Sequence, residues 1–225
     1  MIELERQGDV FVLTLNAGEN RFSPDVVDGI NQKLDEVEKA DGAKALVTTG
    51  SGKFFSNGLD LDYMMGEGKD RAGESLASVL ALIRRVLIFP CITVSAVNGH
   101  AFGAGAQIAV AHDVRFMRAD RGFFCMPEID MRMPLHPGMT AILKARLPGH
   151  TVHEVLVTGT RYGGEAAAAN GIVDHACGEA ELLPRAIEAA AALAGKADPA
   201  MSTIKRDLHA EAVAALARPL AAPGS

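Results

Sequence analysis

Cysteine is scarce in this chain and does not cluster. Its three residues, Cys91, Cys125 and Cys177, are far apart, with no CxxC pair and no Cys/His spacing of the kind that holds zinc. A disulfide framework is not expected, and neither is a metal site. Reduced core thiols in a reducing compartment are the reading. Long apolar runs are also missing. The most apolar stretch, Val86 to Val97, is too short to span a membrane and is interrupted by Pro90. The first residues show no basic region leading into an apolar run, so no secretory leader is expected. The last four, Ala222-Pro223-Gly224-Ser225, carry no peroxisomal or lipidation signal, and the cytoplasm is the expected location. Positive charge is in deficit. The formal net charge of −6 does not favour nucleic acid or an anionic membrane as partner. No GxSxG elbow, no fixed-period repeat and no Pro/Gly/Ser-rich linker is found.

What is present is a globular composition: 225 residues, 48% of them hydrophobic, enough for a substantial core. Val10 to Leu15 and Ala45 to Thr49 read as strands, as do Cys91 to Val97, Val114 to Met117, Phe123 to Cys125 and Val173 to Ala176. Ser23-Pro24-Asp25 combines an N-cap, a first-turn proline and a first-turn acid. Val26, Val27, Ile30, Leu34 and Val37 then follow at helical spacing. A second helix is predicted from Glu74 to Ile88, stopped by Pro90, and a short buried one from Ala106 to Ala111. Helices dominate the last third, at roughly 138–147, 151–157, 163–169, 180–194 and 199–216. The Ala-rich end, Ala212 to Ala222, is expected to fray into a tail.

Three segments carry chemistry. They are Phe55-Ser56-Asn57-Gly58-Leu59-Asp60-Leu61, then Ala96-Val97-Asn98-Gly99-His100-Ala101-Phe102-Gly103-Ala104-Gly105, then Pro127-Glu128-Ile129. Their order and spacing, with Asn20-Arg21-Phe22-Ser23-Pro24 upstream, resemble the crotonase (enoyl-CoA hydratase/isomerase) superfamily over nearly the whole chain. The resemblance implies an α/β fold in which ββα units wind into a superhelix. The C-terminal region would be mainly helical, divided as a core over 1–195 and a helical trimerisation segment with tail over 196–225. Helices of that segment would pack on a neighbour in a homotrimer or dimer of trimers. It further implies an acyl-CoA thioester as substrate, with coenzyme A arriving as part of the substrate and no cofactor bound permanently.

The chemistry fits those residue types. Removing the proton next to a thioester throws charge onto its oxygen, and two backbone N–H groups aimed there stabilise it. The family's donors map onto Asn57 and Ala104. Gly58, Gly103 and Gly105 beside them allow close backbone approach, and Gly103-Ala104-Gly105 opens a helix whose positive end faces the charge. The family works protons with carboxylates at two positions. One of these is Gln107 here, three residues after Ala104. An amide can orient water but cannot shuttle a proton. The other is Glu128, intact among Met126, Pro127, Ile129, Met131 and Met133, a setting that would desolvate it and raise its value as a base. One carboxylate suits moving a double bond better than adding water. Three further segments resemble plant-type Δ3,Δ2-enoyl-CoA isomerases: Gly52 to Gly58 (GKFFSNG), Met117 to Gly122 (MRADRG) and Glu128 to Leu135 (EIDMRMPL). Arg132 stands where those have glycine, and His136 is a further departure. An inefficient hydratase, a decarboxylase or thioester hydrolase using the same enolate, and a non-catalytic acyl-CoA-binding trimer remain alternatives.

For coenzyme A the resemblance points to Arg21, Phe22 and the loop Ser56, Asn57, Gly58, Leu59, Asp60 and Leu61, with Gly103 and Ala104. Lys205 or Arg206 is the candidate to meet phosphate across a subunit boundary, against a solvated helix face. Asp60 is expected to cap or orient its loop and Asp113 to end a helix or support the loop. His100 and His136 are read as structural. The pocket wall is expected from the Glu74–Ile88 helix and the segment from Met131 to Met139.

Overall fold

The computed structural model describes residues 1–220; Ala221 and Ala222 of the expected tail, with Pro223 to Ser225, lie outside the described residues. The chain opens with two strands, β1 (Ile2–Gln7) and β2 (Val10–Leu15), paired antiparallel from Ile2↔Leu15 to Gln7↔Val10. Helix α1 (Pro24–Lys39) starts as its sequence prescribes. The Ser23 side chain accepts the Val26 N–H, and Pro24 occupies the first turn. Val27, Ile30, Leu34 and Val37 are its buried stripe.

Three ββα units follow. The first is β3 (Ala45–Gly50), β4 (Phe54–Ser56) and the helices α2 (Leu61–Met65) and α3 (Ala72–Leu87). The second is β5 (Ile92–Val97), β6 (His100–Phe102) and α4 (Ala104–Ala111). The third is β7 (Val114–Arg118), β8 (Phe124–Cys125) and α5 (Pro137–Arg146). Each unit gives its first strand to a six-stranded sheet of order β1-β2-β3-β5-β7-β9 and its second to a three-stranded sheet of order β4-β6-β8. Apart from the β1–β2 pair, all pairings are parallel. The chain continues through α6 (Gly149–Thr158), α7 (Gly164–Ala169), β9 (His175–Cys177), α8 (Glu179–Ala191), α9 (Pro199–Leu208) and α10 (Ala210–Leu216).

Parallel strands need cover on both faces, and alternation along β2 supplies it. Phe11, Leu13 and Leu15 join the core with α1, α3 and α4, while Val10 and Val12 join the layer closed by Leu182, Ala186 and Ala190 of α8. The C-terminal helices pack on their own chain. The α10 backbone at Leu216 lies so close to Gly138 of α5 that a Cβ there would come 2.6 Å from the Leu216 Cα. Lys205 is a correction to the sequence reading. Its ammonium is buried and donates to the carbonyls of Phe89 (3.0 Å) and Cys91 (2.8 Å) and to Asp113 (2.6 Å), so it neither meets phosphate nor lies on a solvated face.

Candidate active site

The three motifs share a position in the topology. Asn57-Gly58-Leu59 follows β4, Gly103-Ala104 follows β6 and Pro127-Glu128 follows β8. These strands are neighbours and parallel, so their carboxyl ends lie side by side, which is where open parallel sheets bind ligands. The motifs touch there. Gly58 has φ +83°, and a Cβ on it would come 2.7 Å from the Phe102 carbonyl oxygen and 3.2 Å from the Ala104 nitrogen. Gly103 has φ +51°, and a Cβ on it would stand 3.1 Å from Glu128 Oε1. Only glycine gives both the conformation and the space.

The cleft so formed has a volume of about 500 Å3. Its lining includes Arg21, Asn57, Gly58, Leu59, Leu61, Gly103, Ala104 and Glu128, together with Met65, Phe102, Pro127, Met131, Met133 and Arg161. The Glu74–Ile88 segment, most of it α3, is not in this wall; α2 stands there instead, through Leu61, Asp62 and Met65. The Met131 and Met133 part of the expectation is met. Arg161 was missed, because nothing near it in sequence belongs to the three motifs.

The donor pair needs correction at its first member. The Asn57 N–H already donates to the Glu19 carbonyl at 3.0 Å, and its side-chain amide donates to Glu19 Oε2 at 2.9 Å. The Gly58 N–H donates to Ser56 Oγ at 3.2 Å. The next N–H, that of Leu59, has no acceptor among the described residues, nor does that of Ala104 at the start of α4. Leu59 and Ala104 are therefore the free donors on the cleft.

Other assigned residues work from behind the loop. Phe22 is buried, and its N–H holds the Gly58 carbonyl at 2.8 Å. Ser56 is buried and donates to the Asn20 carbonyl at 2.7 Å. Neither side chain lines the cleft. Asn20, which the sequence reading gave no role, is the hub. Fully buried at φ +53°, it accepts the Ala17 N–H through Oδ1 and donates through its amide to the carbonyls of Phe54 and Phe55. Asp60 accepts the Tyr63 N–H and caps α2. Arg21 lies among Glu19, Asp60 and Asp62, so its charge is largely answered within the chain.

Glu128 is half-buried, and its Oε2 is buried without a hydrogen-bond partner. Burial pushes its carboxyl above the ordinary value of 4.5. Gln107 is 0% exposed, and neither end of its amide has a partner. His136 caps α5 by accepting the Gly138 N–H, and His100 lies among the rings of Phe54, Phe102 and Phe123. Asp113 supports β5 and the Lys205 ammonium. No three-residue His/Cys/Asp/Glu group that could hold a metal occurs among the described residues, and no helix there is long and apolar enough to cross a membrane.

Two largely parallel sheets built around ββα units, with free backbone donors and a desolvated carboxyl at the strand ends of the smaller one, define a crotonase-type protein. The family model described as enoyl-CoA hydratase/isomerase matches residues 5–223, and the chain belongs to that family. It is 34% identical over 221 residues to enoyl-CoA delta isomerase 3 of Arabidopsis thaliana, covering 94% of this chain and 93% of that protein. It is 36% identical over 189 residues to the peroxisomal enoyl-CoA delta isomerase 2 of the same plant, covering 80% and 79%. Among solved structures it superposes on a Mycobacterium tuberculosis protein, described as an enoyl-CoA isomerase in its apo structure and as a probable enoyl-CoA hydratase in a second, with a TM-score of 0.88 to each, at 27% and 26% identity, over 96% of this chain and 93% and 91% of those. An enoyl-CoA hydratase from Mycobacterium ulcerans gives 0.88 at 26%, over 96% and 94%.

Proposed function

We propose that the chain is a Δ3,Δ2-enoyl-CoA isomerase in which Glu128 is the acid/base and the Leu59 and Ala104 N–H groups form the oxyanion hole. The observation that carries this is the pairing of a desolvated Glu128 beside the start of α4 with an amide, Gln107, one turn along that helix. The Glu128 carboxylate takes a proton from C2 of the 3-enoyl thioester. The C2 electron pair moves into conjugation, and the charge settles on the thioester oxygen, against the two N–H groups. Glu128, now protonated, gives the proton back at C4, and the double bond lies between C2 and C3. No atom is gained or lost, and one carboxyl serves both transfers. Addition of water would ask a second group to move a proton, which the Gln107 amide cannot do. The isomerase names of the Arabidopsis relatives support the same reading.

The coenzyme A portion is assigned to the rim of Arg21 and the Gly58–Leu61 backbone, arriving with each substrate. We place the enzyme in fatty-acid β-oxidation, as a homotrimer or dimer of trimers, with exposed Ile204 and Leu208 of α9 as apolar surface for a partner copy. Three free buried cysteines suit a reducing compartment such as the cytoplasm. The test is incubation with a trans-3-enoyl-CoA and, separately, its trans-2 isomer, with products resolved by chromatography and mass. A product of unchanged mass from the first and no gain of water by the second is expected. Water gain on the 2-enoyl substrate would overturn the assignment in favour of a hydratase.

A further inference from the structure

Three methionines line the mouth of the cleft. Met65 ends α2, and Met131 and Met133 belong to the turn after β8. They are 70%, 42% and 41% exposed. Large apolar side chains held in water around the rim of a pocket indicate what the pocket takes. The turn is tightly wound. The N–H groups of Met131, Arg132 and Met133 donate to the carbonyls of Pro127 (3.1 Å), Ile129 (3.2 Å) and Glu128 (2.9 Å). Arg132 adopts φ +55° within it, a conformation unfavourable for a residue with a side chain. Met131 and Met133, on either side of Arg132, both line the cleft. Helix α2 has no fully buried side chain, and its Leu61 and Met65 line the cleft as well. The charged residues of the lining are of both signs, Arg21 and Arg161 against Asp62, Glu128 and Asp130, and form no cluster of one sign for an ionic group.

We infer that this mouth takes the distal part of an unfunctionalised acyl chain, so that the preferred substrates are medium- and long-chain enoyl thioesters rather than butenoyl or hexenoyl ones. The inference rests on the enoyl thioester reading above and adds the substrate class. Thioether side chains are flexible and polarisable, so one wall of this kind adapts to chains of several lengths. The Glu128 carboxyl and the free N–H groups fix the reacting end. Each further methylene then leaves water for methionine surface.

The experiment is kcat/KM for 3-hexenoyl-, 3-octenoyl-, 3-decenoyl- and 3-dodecenoyl-CoA on the intact protein. The variants Met65→Ala, Met131→Ala and Met133→Ala are measured singly and together, with Met→Leu at the same positions as the conservative control. The expected result is a rise of about two- to fourfold per methylene over the series, as burial of a methylene provides. The penalty of the alanine variants should grow with chain length, and the leucine variants should recover most of it. Equal turnover of hexenoyl and dodecenoyl substrates would overturn the inference and leave the isomerase standing. No turnover at any length would instead count against the isomerase. Calorimetric binding of saturated hexanoyl- and dodecanoyl-CoA then tests the mouth alone, and equal affinities would overturn it. If the alanine variants change the sedimentation of the protein and leave the chain-length profile untouched, the methionines belong to a contact between copies and the inference falls.

Discussion

Glu128 depends on an environment that keeps water from one of its oxygens. Its Oε2 is buried and unpartnered, so the ionised form is penalised and its proton affinity is raised. The proposed isomerase cycle begins with the ionised form. Hence kcat/KM should fall as pH drops through a value above the ordinary 4.5 of a free glutamate. Glu128→Gln should remove that limb and lower kcat by about 10²- to 10⁴-fold, with binding of a saturated acyl-CoA largely kept. The sign for stability is opposite. A raised folded-state pKa favours the fold only below the unfolded value and is a burden as pH rises past the folded one. Glu128→Gln should therefore melt higher than the parent at neutral pH, with the gain vanishing below the ordinary carboxylate range. Asn20 is the second residue on which the site depends. Asn20→Ala loses the acceptor for the Ala17 N–H and both donors to the Phe54 and Phe55 carbonyls, and leaves alanine at φ +53°. A cost of about 3 kcal/mol in urea denaturation is expected. Because these bonds hold β4 and the turn to Leu59, kcat should fall more than KM rises.

At the scale of elements, α9 is attached by a buried charge. Lys205 joins the Phe89 and Cys91 carbonyls, between α3 and β5, to Asp113, which also accepts the Thr93 N–H and hydroxyl of β5. Removing one partner of a buried pair leaves the other uncompensated, at about 3–5 kcal/mol. Lys205→Met should lower Tm by roughly 10 °C in calorimetry. Sequence reasoning found the elements that carry their own signals. The Ser23-Pro24 start of α1, the apolar β2, β3 and β5, and the Gly-rich entry to α4 are local patterns. It missed β1 although Ile2 and Leu4 alternate with Glu3 and Glu5. It also missed β4, β6 and α2, which are three, three and five residues long and offer no full period to detect. The 199–216 helix is two, α9 and α10, meeting at His209.

At the scale of the whole molecule, what was hidden in the sequence is what distant segments do to one another. Glu128 and the two glycine turns were legible because each motif is contiguous and the strand order sets them side by side. Asn57 was misassigned as a donor because its acceptor, Glu19, lies 38 residues away. Lys205 was misread because its partners lie 92 to 116 residues back. His112, to which the sequence reading gave no role, also joins distant segments and shapes how the fold meets acid. Its ring is fully buried between the Ile108 carbonyl (2.7 Å) and the Thr48 hydroxyl (2.8 Å). A carbonyl only accepts, so Nδ1 carries the proton and Nε2 accepts from Thr48. Burial lowers its pKa from 6.5 to about 4. Above 6.5 the ring is neutral in both folded and unfolded chain, and the fold keeps its full stability. As pH falls from there toward about 4, the unfolded chain binds a proton that the fold refuses, a difference of about 3 kcal/mol across the window. Urea midpoints should therefore decline between pH 6.5 and 5, before carboxylates contribute. In His112→Gln, at a lower starting stability, that decline should flatten to the share left by His100 and His209, whose pKa values are also lowered by burial. An unchanged slope in the variant would assign the acid sensitivity elsewhere.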